Sequence, residues 1–236
     1  MKIGVLMIGS LYWDQARKDW RRDRLVGINP LRVRAPIRYG RLSSTRGDTY
    51  SMVFSAGIEK EKFGQAIAVP CRQRATTFDD LLEEARYLWA AENNCERMEQ
   101  ICASWGCVAL LPNPRRELPR GVLADWKVHV AHECRYPQLK HARGEPAAVS
   151  ECGILNIPWP QLLDGAELEF DALLGTATDP TINSGDYPSA QMIASAWAEH
   201  QENAHVEYFD NNVSNGITTW QDREIKHWLE QLRRTQ

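Results

Sequence analysis

The first residues of the chain with the types and spacing for chemistry are Gly9-Ser10-Leu11, which directly follow a short apolar run, 3–8. A run of this length, rich in branched residues, predicts a strand that is buried on both faces. At the turn, a glycine either adopts a positive φ or lets another group approach the backbone closely. The amides of Ser10 and Leu11, together with the Ser10 hydroxyl, then supply donors for an anion. The sequence therefore predicts the floor of a small-molecule site.

Glu92 is the second candidate, because of its position on the clearest helix in the sequence. Thr77 can cap this helix, and its apolar face includes Leu88 and Trp89. Since Glu92 follows Leu88 by four residues and Trp89 by three, a continuing helix places its carboxylate within that apolar face. Partial desolvation there would raise its pKa and suit it to general base work. Alternatively, the helix ends before Asn93 and Glu92 is solvated.

Basic residues crowd the segment that follows the opening strand, although the net charge of the whole chain is −3. That overall charge argues against a nucleic-acid partner. The cluster lines the mouth of an anion site, forms an RNA-facing patch, or forms a solvated face paired with acidic neighbours. Its members are Arg17, Lys18, Arg21, Arg22, Arg24, Arg32, Arg34, Arg38, Arg41 and Arg46. Arg38 and Arg41 are the candidates for the mouth of the site.

The composition of the 236 residues, with 43% hydrophobic and 25% charged side chains, is typical of a soluble globular protein. No apolar run approaches the roughly 18 residues that a membrane span needs. The opening run also lacks the small-residue cleavage site of a signal peptide, so a cytoplasmic protein is expected. The six cysteines form no C-x-x-C pair and have no metal-like spacing with the histidines. We therefore expect reduced cysteines, no structural metal and no cofactor; an oligomer of identical chains is compatible with the sequence.

The order of predicted elements indicates an α+β fold with a mixed, strongly curved or barrel-like sheet, flanking helices and a helix-rich C-terminal part. A proline-bounded loop divides it into a barrel core at 1–114 and an extension packed on it at 115–236, unless both form one continuous domain. Strands are expected at 3–8, 31–44, 49–55, 65–69, 107–111, 152–157 and 168–174, with Arg46-Gly47-Asp48 as a hairpin turn. Helices are expected at 77–92, 96–104, 122–134, 189–201 and after Thr218 or Thr219, with a polar helix or ordered loop at 14–25 and turns at 210–216.

The opening strand followed by Gly9-Ser10-Leu11 resembles the Y-G-S-L signature of gamma-glutamylcyclotransferase-like proteins. In that family the amides of the loop hold a substrate carboxylate; here Ile8 stands where the family has tyrosine, and Tyr12 follows closely. The family's second landmark is a helix ending in L-D-x-x-E-G, whose glutamate acts as the acid/base. The segment 88–93 has that leucine-to-glutamate spacing, with tryptophan for the aspartate and asparagine for the glycine. The resemblance covers at most the first half of the chain.

The resemblance implies a small mixed β-barrel in which Glu92 meets the Ser10 loop across one pocket. It implies acid/base-assisted intramolecular cyclotransfer on a gamma-glutamyl-type or other amino-acid-derived carboxylate, without metal or organic cofactor. The candidate catalytic residue is Glu92, and the candidate ligand-binding residues are Ile8, Gly9, Ser10, Leu11, Tyr12, Arg38 and Arg41.

Two other functions compete with this one. A non-catalytic small-ligand binding or protein-interaction module could use the same fold and some of the nine tryptophans. A nucleotidyltransferase of the polymerase-β type also carries Gly-Ser after an early element, but Ser10 is not followed by the D-x-D pair that holds its metal ions.

Overall fold

The computed structural model describes residues 1–27, 30–43, 49–134, 136, 138–199 and 204–235. The strands are β1 (Ile3–Met7), β2 (Leu31–Ala35), β3 (Ile37–Ser43), β4 (Thr49–Phe54), β5 (Gly64–Pro70), β6 (Cys102–Ala103), β7 (Gly106–Pro112), β8 (Gln161–Leu162) and β9 (Ala172–Thr178). The helices are α1 (Ser10–Trp13), α2 (Lys18–Arg24), α3 (Phe78–Glu92), α4 (Val122–His129), α5 (Ala190–Glu199), α6 (Ala204–Ser214) and α7 (Asp222–Thr235). Among these helices, none has the length and apolar character needed to cross a membrane.

Strand β1 lies inside a seven-stranded mixed sheet of order β6-β7-β9-β1-β5-β2-β8. All five residues of β1 are buried, as its apolar run predicts. It pairs antiparallel with β5 on one side and parallel with β9 on the other. Because β9 comes from the second half of the chain, the segments 1–114 and 115–236 contribute to one sheet.

The predicted α+β class with a mixed sheet and flanking helices is confirmed. The described strands form no closed barrel: the sheet is open, with the short strands β6 and β8 at its edges. Two-residue edge strands offer few unpaired backbone groups to a neighbouring chain.

A separate hairpin of β3 and β4 packs against the main sheet. The single strand expected at 31–44 is divided at Pro36, so that β2 joins the main sheet beside β5 and β3 pairs with β4 in a second sheet. The apolar face of the hairpin places Phe54 against Gly175 of β9 and Tyr39 against Trp197, with ring centroids 5.2 Å apart. The predicted turn Arg46-Gly47-Asp48 lies outside the described residues.

Helix α3 begins as its sequence predicts. The Thr77 hydroxyl accepts a hydrogen bond from the Asp80 amide at 3.2 Å, and the Asp80 carboxylate accepts one from the Thr77 amide at 3.0 Å. This capping box satisfies two donors that would otherwise have no partner at the start of the helix. The buried face includes Leu88 and Trp89, and Glu92 is the last helical residue.

Four local predictions are wrong. The helix expected at 96–104 is absent; bends lead instead into β6, and Ile101 and Cys102 are buried through backbone pairing with β7 rather than on a helix face. The turns expected at 210–216 fall largely within α6, where burial of Tyr208 and Phe209 outweighs weak helix propensity. The segment 152–157 contributes only isolated bridges, and the strand expected at 168–174 begins instead at Ala172.

Candidate functional site

A cavity of about 820 Å³ lies at the carboxyl ends of the adjacent parallel strands β1 and β9. Ligands of α/β proteins commonly bind beyond the carboxyl ends of parallel strands, where the following loops diverge. The walls of the cavity include the segment after β1, the end of β3, the first half of β4, the end of α3, the turn between β6 and β7, the end of β9, and α6. The polar and aromatic lining residues include Ser10, Asp14, Arg17, Arg41, Ser43, Ser51, Glu92, Asn93, Asn94, Trp105, Thr176, Thr178 and Tyr208.

The structure brings most of the candidate residues together in this cavity: Ile8, Gly9, Ser10, Leu11, Arg41 and Glu92 all line it. Two candidates lie elsewhere. Tyr12 lines a second cleft, because the helical turn of α1 rotates it away from Leu11. Arg38 is three residues, about 10 Å, from Arg41 along β3 and stacks on Tyr187 instead.

Ser10 is the first residue of the short helix α1, with Gly9 as its N-cap. The Gly9 carbonyl accepts from the Tyr12 amide at 3.0 Å, and the Ser10 carbonyl accepts from the Asp14 amide at 2.9 Å. Amides in the first turn of a helix have no acceptor within that helix. The amides of Ser10 and Leu11 therefore stand at the start of a helical turn that lines the cavity.

Position 9 requires glycine because the Tyr208 side chain lies close to its backbone, and not because its backbone angles are unusual. Its φ of 171° is extended. A Cβ atom at this position would lie 2.6 Å from the Tyr208 Oη. Tyr208 is buried on α6, and its Oη accepts a hydrogen bond from the Met52 amide at 3.2 Å. The phenol thus joins α6, β4 and the start of α1 at the cavity wall.

Glu92 is half-buried, and the way in which α3 ends fixes its position at the cavity. The Cys95 amide donates to the Ala90 carbonyl at 3.0 Å, and the Asn94 amide donates to the Ala91 carbonyl at 3.3 Å. Asn94 has a φ of 53°, in the left-handed region that asparagine tolerates at a helix end. This Schellman motif turns the chain immediately after Glu92, so the carboxylate stands on the last helical turn.

Two tryptophans connect the Glu92 wall with the Arg41 wall. Trp89, one turn before Glu92, stacks on Trp105 with ring centroids 4.6 Å apart and planes inclined by 25°. The Arg41 guanidinium in turn lies over Trp105, 4.5 Å from the centroid of its ring. Stacking and cation–π contacts of this kind favour one orientation of the groups they join. These contacts link the last turns of α3, which carry Glu92, to the Arg41 guanidinium on β3.

The segment after α1 contributes an ion pair to the cavity. The Asp14 carboxylate accepts from the Ala16 amide at 2.9 Å and pairs with the Arg17 guanidinium. Within the described part of the chain, the buried Arg17 Nε has no hydrogen-bond partner, and the same is true of the hydroxyls of Thr176 and Thr178. Buried polar atoms without a partner are uncommon and call for an explanation such as an ordered water or a ligand.

Comparison with models of protein families, with curated proteins and with solved structures finds no match to this chain. Within the described ranges, no group of three or more histidine, cysteine, aspartate or glutamate side chains is arranged to hold a metal ion. The function is therefore inferred from the geometry of the cavity.

Proposed function

We propose that the cavity binds an amino-acid-derived carboxylate of the gamma-glutamyl type and that the protein catalyses its intramolecular cyclotransfer. The observation that carries this proposal is that Glu92 and the segment Ile8–Leu11, which are distant in the chain, line one cavity. A carboxylate that can move a proton thus faces the same space as amides that can hold an anion.

The substrate's α-carboxylate is assigned to the start of α1. The amides of Ser10 and Leu11 and the Ser10 hydroxyl provide the donors, and the Arg41 guanidinium adds positive charge on another wall. Hydrogen bonds from neutral donors to an ionised carboxylate are shorter and stronger than those between neutral groups. This contact fixes the amino-acid end of the substrate and leaves its side chain to extend toward Glu92.

The reaction moves one proton from the attacking nitrogen to the leaving nitrogen and involves no redox change. The substrate's free α-amine attacks its own γ-carbonyl carbon, a new C–N bond closes a five-membered lactam, and the C–N bond to the leaving amine breaks. Glu92 takes the proton from the attacking nitrogen and returns it to the leaving nitrogen.

The size and polarity of the cavity suit such a substrate. A volume of about 820 Å³ lies within the range of about 300–1,000 Å³ usual for small-molecule sites. This space exceeds what a single glutamyl group fills, so the leaving amine can carry a substituent. The hydroxyls of Thr176 and Thr178 and the Arg17 Nε are unpartnered within the described residues and offer contacts to that part of the ligand.

A cytoplasmic setting belongs to the same proposal. Cys71, Cys102 and Cys107 are free thiols in the buried interior. Free buried cysteines are common in reducing compartments, where disulfides are rare. The pKa of the Cys71 thiol is raised by burial, which keeps the thiol protonated and unreactive.

The proposal is tested by incubating the protein with gamma-glutamyl-alanine and measuring 5-oxoproline and alanine by mass spectrometry. We expect equal amounts of both products, and Glu92→Gln should lower the rate by about a hundredfold or more because the acid/base is lost. Glu83→Gln is the matched control, since Glu83 lies on the same helix outside the cavity lining and within 4.0 Å of Arg86. Glu92→Gln retaining the wild-type rate would refute the assignment. Saturable binding without products would favour a non-catalytic binding protein.

A further inference from the structure

A second cleft, of about 500 Å³, also borders α1, but through different residues from those that border the candidate site. Leu11 lines the first cavity, whereas Tyr12 and Trp13 line this cleft. Apolar residues Met7, Leu25 and Val69 also line it. The cleft thus combines two aromatic rings with an apolar floor, and none of the described residues lines both this cleft and the candidate site.

Arg21 is the charged group that distinguishes this cleft. Its side chain is half-buried, and its Nη1 donates to the Leu11 carbonyl at 2.7 Å. Throughout the described residues, no carboxylate lies within 4.0 Å of its guanidinium nitrogens. Burial lowers the pKa of Arg21, while the charge of nearby Asp14 acts in the opposite direction. Asp14, however, already forms its ion pair with Arg17.

The neighbouring Arg22 gives a direct contrast. It also lines the cleft, but it is exposed and pairs with Asp19 and Asp23 at 2.7 Å each. A half-buried cation without a close counter-ion is costly, because desolvation is not offset by a paired charge. A guanidinium carries five donors, and one bond to a carbonyl leaves donors for an anion. Of these two arginines, Arg21 is therefore the one whose surroundings favour an added negative charge.

The aromatic wall is held in place independently of any ligand. The Trp13 Nε1 donates to the Asn212 Oδ1 at 2.7 Å, and the Trp13 ring meets Tyr208 edge-to-face with centroids 5.8 Å apart. A preformed aromatic wall lowers the entropic cost of binding a flat apolar group.

We propose that this cleft is a second ligand site, which takes a small anion with an aromatic or apolar body, such as an aryl carboxylate. The carboxylate lies against the Arg21 guanidinium, and the ring lies among Tyr12, Trp13 and the apolar floor. The proposal does not depend on the reaction assigned to the first cavity.

Benzoate is the probe, and calorimetry with the full chain is the measurement. We expect saturable binding of benzoate, with benzamide and acetate at least tenfold weaker, because each lacks one of the two recognised features. Arg21→Gln should weaken benzoate binding at least tenfold. Arg22→Gln, the matched control, should change it less than twofold. Arg41→Gln should also leave it unchanged, since Arg41 lines the other cavity.

A measurement on the wild-type chain keeps the test decisive if Arg21→Gln fails to fold. The Trp13 indole resonance, assigned in an NMR spectrum by comparison with Trp13→Phe, should shift on titration with benzoate and not with acetate. The proposal is overturned if benzoate does not bind, if Arg21→Gln binds it as tightly as wild type, if the Trp13 resonance does not move, or if Arg41→Gln abolishes binding.

Discussion

Replacing Gly9 with alanine tests the contact between the start of α1 and Tyr208. The new Cβ would lie 2.6 Å from the Tyr208 Oη, too close for either group to remain in place. Overpacking of a buried site costs about 1–3 kcal/mol of unfolding free energy. Tyr208→Phe alone removes the hydrogen bond from the Met52 amide and should cost about 1 kcal/mol.

The double variant Gly9→Ala/Tyr208→Phe is the decisive protein in this series. Once the Oη is gone, the nearest ring atom is Cζ at 3.5 Å, which is an ordinary contact. The double variant should therefore be about as stable as Tyr208→Phe, so the two substitutions are non-additive by the full cost of Gly9→Ala, about 1–3 kcal/mol. Urea unfolding of all four proteins measures this coupling.

Gly27→Ala is the control for this cycle. Among the residues that the structure describes, nothing lies within 4 Å of the Cβ it would introduce, so it should change stability by no more than about 0.5 kcal/mol. Strictly additive effects of Gly9→Ala and Tyr208→Phe, or a neutral Gly9→Ala, would show that the phenol does not press on Gly9.

Three further predictions concern stability and are measured by urea unfolding. Thr77→Ala should cost about 1 kcal/mol by removing the capping box of α3, and an unchanged midpoint would contradict it. Arg24→Ala should cost about 3 kcal/mol of unfolding free energy, because it removes the partner of the buried Glu84 carboxylate, which Arg24 pairs with at 2.6 Å. A loss below about 0.5 kcal/mol would contradict this prediction. Burial raises the pKa of Asp222 to about 6, so its ionised form destabilises the folded state. The free energy of unfolding should therefore fall as pH rises from about 4 to about 6, by at most about 3 kcal/mol. Asp222→Asn should remove that part of the pH dependence. An identical pH profile in the wild type and the variant would refute this prediction.

The sequence predicts those elements that a local pattern of residues specifies. The apolar run at 3–8 becomes β1, and Thr77 caps α3 as its spacing indicates. By contrast, α6 depends on contacts with distant parts of the chain, among them the hydrogen bond from the Trp13 Nε1 to Asn212 at 2.7 Å. Local propensity at 210–216 favours turns, and only tertiary packing reverses that preference.

Some residues of the candidate site can likewise be predicted from local sequence patterns, whereas others reach it only through long-range contacts. Glu92 follows from helical spacing, and Gly9-Ser10-Leu11 follows from the turn after an apolar strand. Thr176 and Thr178 reach the cavity only because β9 pairs in parallel with β1, a long-range pairing that no local pattern contains. Tyr208 reaches the cavity through the packing of α6, which is also a long-range contact; the one local sign of it in the sequence is the glycine at position 9, which permits the close approach of its phenol.

The central claim, that the cavity holds an amino-acid carboxylate between α1 and Glu92, is tested most directly by a crystal structure of Glu92→Gln soaked with gamma-glutamyl-alanine. We predict the α-carboxylate at about 2.7–3.2 Å from the amide nitrogens of Ser10 and Leu11. We also predict the residue 92 side chain within hydrogen-bond reach of the α-amine or the leaving nitrogen. A ligand seated elsewhere, or bound in this cavity with its carboxylate turned away from Ser10 and Leu11, would contradict the claim.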